Sequence, residues 1–348
     1  MIECFKTSVE EDESGEKVFL TSRVAGPCPG CWVSVVAPTK RERAWMQSEM
    51  GVIPDFVASA LDDEESSRIE RDDETRQVLV IMDCPFVEDK SEAESASIVQ
   101  YDTHPLAVLF LPEKDLVMTV SLKENWTISA FESGRVRDIN TAQRTRFLLQ
   151  ILLHISRRYQ IDLRSVNRQF RENERELRRS MRNEELIKML GFEKSLVYFS
   201  TSLKALDTTI QRISYGRILK LYDEDRDLLN DTSVEVKQAI EMCEIYTQVY
   251  NETMETFGSI INNNLNLTMR TLAIITLVLS VPTTVFSFYG MNTGLPMDET
   301  WVFPVILNAA PATWWRARHF ALRRRPIATS LGLASTRQIP LPRRAWAH

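Results

Sequence analysis

The sequence predicts an α+β protein: an N-terminal cytosolic α/β domain, long stalk helices, and a C-terminal transmembrane helix. Three observations carry this. Short β-branched runs bounded by turn residues fill the first 135 residues. A helical period then recurs almost without interruption from about Asn140. Finally, no charged residue occurs from Leu272 to Met291, a stretch of about 20 residues that matches a hydrocarbon core of about 30 Å.

Composition agrees. The 348 residues are 44% hydrophobic and 26% charged, with a formal net charge of −6. That is the make-up of a globular chain carrying little membrane mass. The five cysteines are few and odd in number, which suits a reducing compartment. MIECFKTSVEEDESGEK is acidic and has no apolar leader, so the first domain is expected in the cytosol.

In the first domain, 1–135, strands are expected at Trp32–Val36, Val78–Met82, Leu106–Leu111 and Leu116–Val120. Thr39 is placed to cap a helix ending near Gly51, and a second helix follows Pro54 through Phe56 and Leu61. A sheet of four or more strands, partly covered by these helices, follows. Cys28-Pro29-Gly30-Cys31 invites a redox or zinc reading. No second Cys or His pair has the spacing for a tetrahedral site, so two ordinary thiols at a turn are expected.

The second region, 136–270, reads as a helical stalk with a hairpin. Phe147, Ile151, His154, Ile155, Leu163, Val166, Phe170, Leu177 and Met181 keep a three-or-four spacing. Gly191 reads as a stop, Phe192–Ile213 as the next helix, and Lys220–Asn230 as a polar crossing. One helix is then expected from near Ser233 to Tyr289, roughly 85 Å at 1.5 Å per residue. Such a length suggests an oligomeric stalk.

Residues 271–291 form the expected span. Thr276, Ser280, Thr283 and Ser287 fall on one stripe of it. Two readings stand: small residues that allow close helix packing, or a stripe facing a water-filled pore. After it come 292–300 as an outer loop, 301–315 as a short apolar segment with Pro304 and Pro311, and 316–348 as a basic tail. Trp301–Trp315 would make only roughly 22 Å of helix, short of a bilayer core. No acidic residue follows Glu299, and eight arginines lie between Arg316 and Arg344. A frameshift near Asn308–Ala312 explains the abrupt change; a distorted second span with a cytosolic basic end is the alternative.

Tyr289-Gly290-Met291-Asn292, at the exit of a span after a long charged helical region, resembles the signature of the CorA-type magnesium transporter family. Pro29–Trp32, Ile53-Pro54-Asp55-Phe56, Leu61–Glu65 and Tyr101–Leu106 add looser likenesses. The resemblance implies a homopentameric channel in the cell membrane, in contact with lipid, whose partners are divalent cations. Mg2+ is then both transported and regulatory ion, with no organic cofactor. It implies that Gly290, Met291 and Asn292 form the selectivity loop. Thr276, Ser280, Thr283 and Ser287 would line the path, with Asn266 as a cytosolic ring and Met269 or Leu272 as the gate. Asp231 matches an acidic regulatory position, with Asp227 and Glu235 on its face. Acidic residues also favour a helix N-terminus for their own sake.

Zinc, cobalt or nickel selectivity in the same fold is the alternative, as is a non-conducting membrane-anchored coiled-coil scaffold. An incomplete second span would leave the protein inactive. The chain lacks a Gly-rich phosphate loop, a nucleophile elbow and a His-Glu-x-x-His helix, so no enzyme is expected. The acidic soluble part disfavours nucleic acid as a partner.

Overall fold

The computed structural model describes residues 1–11, 17–87, 100–180 and 183–289. Among the described residues seven strands form one sheet: β1 (Ile2–Glu11), β2 (Lys17–Val24), β3 (Cys31–Val36), β4 (Arg68–Arg71), β5 (Val78–Val87), β6 (Tyr101–Leu111) and β7 (Leu116–Ser121), in the order β2-β1-β3-β7-β6-β5-β4. Only the β3–β7 pair is parallel; every other pair is antiparallel.

The sheet is covered on both faces, which explains why β5 and β7 read as near-continuous apolar runs. Against one face pack α1 (Lys40–Ser48) and α2 (Pro54–Ala60), burying Met46, Phe56 and Val57 against Val33, Leu79, Ile81 and Leu109. Thr39 caps α1 through a reciprocal capping box with Glu42. The opposite core gathers Trp32, with Phe131 of α3 (Trp126–Glu132) and Phe147 of α4 (Arg144–Ser180) around it. Trp32 donates its indole N–H to Thr119 Oγ1 at 2.9 Å, so the buried ring has no orphaned donor. Further along, Tyr159 of α4 packs edge-on to Phe199 of α5 (Asn183–Ser214) and donates to the Asp83 carbonyl.

The strands expected from sequence are present. Three others, β1, β2 and β4, were not anticipated. The helical region also differs in its punctuation. Gly191 does not stop a helix; it lies buried inside α5. A helical glycine costs about 1 kcal/mol relative to alanine. Here the buried stripe Met189, Phe192, Leu196, Phe199, Leu203, Leu206 and Ile210 outweighs it. Lys220–Asn230 is not a crossing either, because α6 begins at Asp223 and runs unbroken to Tyr289, 67 residues. Its first turn carries Asp223, Glu224 and Asp225, acids that suit the positive end of a helix dipole. Asp225 also accepts the Tyr222 N–H at 3.1 Å.

The chain divides into two compact units, Met1–Thr253 and a second from Met254 onward. The first holds the sheet, α1–α5 and the amphipathic start of α6, which buries Leu229, Val236, Ala239, Cys243 and Tyr250.

Candidate functional site

In the second unit α6 changes character. Between Met254 and Tyr289, Phe257 is the one buried apolar side chain among the described residues. Leu265, Met269, Leu272, Ile275, Leu277 and Leu279 are all exposed by half or more. An 18-residue window of α6 is apolar enough to cross a membrane, and none of it is buried within the chain. A core helix of a water-soluble protein would bury such a surface.

The period of the helix sorts what this segment presents. At about 100° per residue, Asn266, Met269, Leu272, Thr276, Ser280, Thr283 and Ser287 share a face about 120° wide. All seven are exposed, and none bears a charge. Asn262 belongs to the same face and is also exposed; the spacing could have revealed it, but it reads in sequence as part of a polar run. Leu277, Ile274 and Val278 occupy other faces.

The hydroxyls of the stripe are oriented by their own helix. Thr276 donates to the Leu272 carbonyl at 2.9 Å, Ser280 to Leu277 at 2.9 Å, and Thr283 to Leu279 at 2.8 Å. With its proton committed to the backbone, each oxygen keeps lone pairs free to accept. The face can therefore receive hydrogen bonds from a donor-rich solute, such as the water shell of a cation. Pro282 sits within the helix without ending it.

The acidic trio divides. Asp227 and Asp231 are exposed on α6, one turn apart. Glu235 is instead engaged by the chain itself: its carboxylate accepts from Gln160 Nε2 at 2.6 Å and lies 3.5 Å from Arg157 Nε. Among the described residues no group of three or more His, Cys, Asp or Glu is arranged to hold a metal. Cys28 and Cys31 are free thiols at a turn.

A cavity of about 540 Å³ lies among β1, β2 and α1. Of the charges that line it, Arg23 is paired with Glu3 at 2.9 Å and Glu42 with the N-terminal amine at 3.3 Å. Gly290, Met291 and Asn292, the outer loop to 300, the segment 301–315 and the tail 316–348 lie outside the described residues.

Comparison with known proteins adds to this geometry. A family model described as CorA-like Mg2+ transporter protein matches residues 30–316. The cobalt/magnesium transport protein CorA of Methanocaldococcus jannaschii is 24% identical over 270 residues, covering 75% of this chain and 79% of the relative. The complete structure of the CorA magnesium transporter from the same organism superposes with a TM-score of 0.73 at 21% identity, covering 93% of this chain and 98% of that one. The ZntB cytoplasmic domain from Vibrio parahaemolyticus is similar over 75% of this chain and 98% of its own, with a TM-score of 0.56 at 11% identity. At these identities the structural likenesses speak for the fold.

Proposed function

The chain belongs to the CorA-like Mg2+ transporter family, and from that premise we propose that it is a homopentameric channel passing hydrated Mg2+ across the cell membrane. The observation that carries the reading is the uncharged acceptor face of α6, on a segment whose apolar surface finds no cover within its own chain.

Magnesium holds its waters tightly and takes few direct protein ligands. A path suited to it offers acceptors to those waters and no carboxylate strong enough to trap the ion. Repeated around an axis, Thr276, Ser280, Thr283 and Ser287 supply such acceptors, and Asn266 a ring of amides. Met269 or Leu272 supplies an apolar constriction that can close by excluding water. Gly290, Met291 and Asn292 form the outer mouth, where the Asn292 carbonyl and the backbone carbonyls meet the ion with its shell intact. The stripe has no thiolate or imidazole, the donors that favour zinc or nickel as stripped ions. Cobalt remains a second cargo, since the curated relative is named for it.

Reconstituted into liposomes, the wild-type chain is expected to admit Mg2+, read by an enclosed indicator. Asn292→Ala should abolish that flux with the oligomer intact. Undiminished flux in the variant would remove the outer mouth from the mechanism. An oligomer of wild type that passes no cation would favour the scaffold reading, or a chain inactivated by its C-terminal segment.

Regulation rests on Asp231, with Asp227 beside it, facing a neighbouring subunit. Mg2+ bound there would hold the soluble parts together in the closed state. Asp231→Ala should weaken the protection against protease that added Mg2+ gives. Equal protection in the variant and the wild type would rule the position out.

A further inference from the structure

The turn Cys28-Pro29-Gly30-Cys31 holds two thiols in a geometry that the transport reading does not use. Gly30 has φ +74°, the conformation a Pro-Gly β-turn requires at its third position. The Cys31 N–H donates to the Cys28 carbonyl at 3.1 Å, closing the turn. The Cys28 N–H points back at Cys31 Sγ, also at 3.1 Å, so that sulfur lies against the Cys28 backbone. A β-turn brings its end Cα atoms within about 7 Å, and a disulfide spans about 4.4–6.8 Å. The turn thus meets the distance requirement without moving a strand.

Its neighbours hold it in place. The Gly30 N–H donates to the Asp115 carbonyl at 2.6 Å, and Thr141 Oγ1 donates to the Gly30 carbonyl at 2.7 Å. The thiols differ in access: Cys31 is fully buried, whereas Cys28 is half-buried. Burial pushes the Cys31 thiol up to about 11, so it is rarely a thiolate near neutrality. Cys28 is therefore the sulfur an oxidant meets first. Cys4, on β1, is a third thiol near both.

We infer that Cys28 and Cys31 form a reversible oxidation site, closing to an intra-turn disulfide when the soluble unit meets a peroxide. In the first step the Cys28 sulfur attacks one peroxide oxygen. The O–O bond breaks, an S–O bond forms, and water leaves, giving a sulfenic acid. In the second step the Cys31 sulfur attacks the Cys28 sulfur. The S–O bond breaks, and the hydroxyl leaves as water with the Cys31 proton. The thiol pair loses two electrons, and the peroxide gains them. Disulfides in a reducing compartment are mostly transient devices of this kind, and exchange with a small dithiol would reopen the turn.

The full chain in detergent is exposed to hydrogen peroxide, quenched in acid, denatured, alkylated and mapped by peptide mass. The expected product is a Cys28–Cys31 peptide lacking two hydrogens, restored by dithiothreitol. Cys4→Ser should leave its yield unchanged. Cys28→Ser should reduce the peroxide-dependent loss of alkylatable Cys31 at least tenfold. Sulfinic acid at Cys28 beside an alkylatable Cys31, or a Cys4–Cys28 link as the main product, would overturn the assignment. Neither result touches the transport reading, which uses none of these residues.

Discussion

One helix, α6, contains two regions built for different surroundings. In Asp223–Thr253 the apolar residues form a stripe: Leu229, Val236, Ala239, Cys243 and Tyr250 are buried, and charged residues such as Glu241 and Glu244 occupy other faces. From Met254 to Tyr289 the stripe widens until apolar residues occur on most of the circumference. Charge disappears after Arg270. The backbone is the same throughout. What changes is the surroundings each side chain suits: water on one side and protein on the other in the first region, whereas the second, from Leu272 on, has the uncharged, apolar composition of a membrane-spanning helix.

A single substitution made in both regions tests that contrast. Val236→Asp places a carboxylate at a position with no exposure. An unpaired buried charge is among the most costly single changes, on the order of 3–5 kcal/mol. Loss of the cooperative thermal transition of the sheet-bearing unit is expected. Leu279→Asp puts the same group where the side chain is 61% exposed within the chain. If water surrounded it, the change would be close to neutral. In a bilayer centre it costs about 2.5–3.5 kcal/mol. The expected result is a chain that leaves the membrane fraction while its sheet unit still melts cooperatively. A Leu279→Asp protein that partitions into detergent like the wild type would break the distinction between the regions.

Much of this contrast was legible in the sequence, and the failures share a cause. The span, the hydroxyl stripe, the four central strands and the Thr39 cap each follow from a local pattern strong enough to need no partner. β1 hid because IECFKTSVEE mixes charge with apolar residues, as a strand near the sheet's margin can. β4, RIER, buries only Ile69 and exists because β5 pairs with it. Gly191 and the acidic run at Asp223 misled for the opposite reason. Both are local breaking signals, and both are overridden, one by a buried stripe and one by a helix dipole. Within the candidate site, the helix face was readable residue by residue. The role of Glu235 was not, since its partners Arg157 and Gln160 lie about 75 residues away in sequence.

The soluble unit differs from the span in a further respect: it buries ionisable groups. Asp162 of α4 has a side chain only 3% exposed, with Arg158 Nε donating to it at 2.8 Å. Burial raises its pKa to about 6, more than the Arg158 charge lowers it. An unfolded aspartate titrates near about 3.9. Between those values the folded state binds the proton and the unfolded state does not, so stability falls as pH rises. The contribution is complete below about pH 4 and gone once pH passes about 6. A shift of about 2 units corresponds to roughly 3 kcal/mol, as an order of magnitude. Asp83 and Glu132 are also raised by burial and act in the same direction. The wild type alone therefore cannot isolate Asp162; the difference from Asp162→Asn can. Arg158 would keep its place over the Trp126 ring at 4.8 Å and its access to water. The variant should thus fold, and its stability relative to the wild type should rise by about 2–3 kcal/mol from pH 4 to pH 7. Thermal melts of the full chain followed by tryptophan fluorescence would show it. Parallel curves for the two proteins across that range would mean that Asp162 is ionised in the fold, and that Arg158 compensates its burial in full.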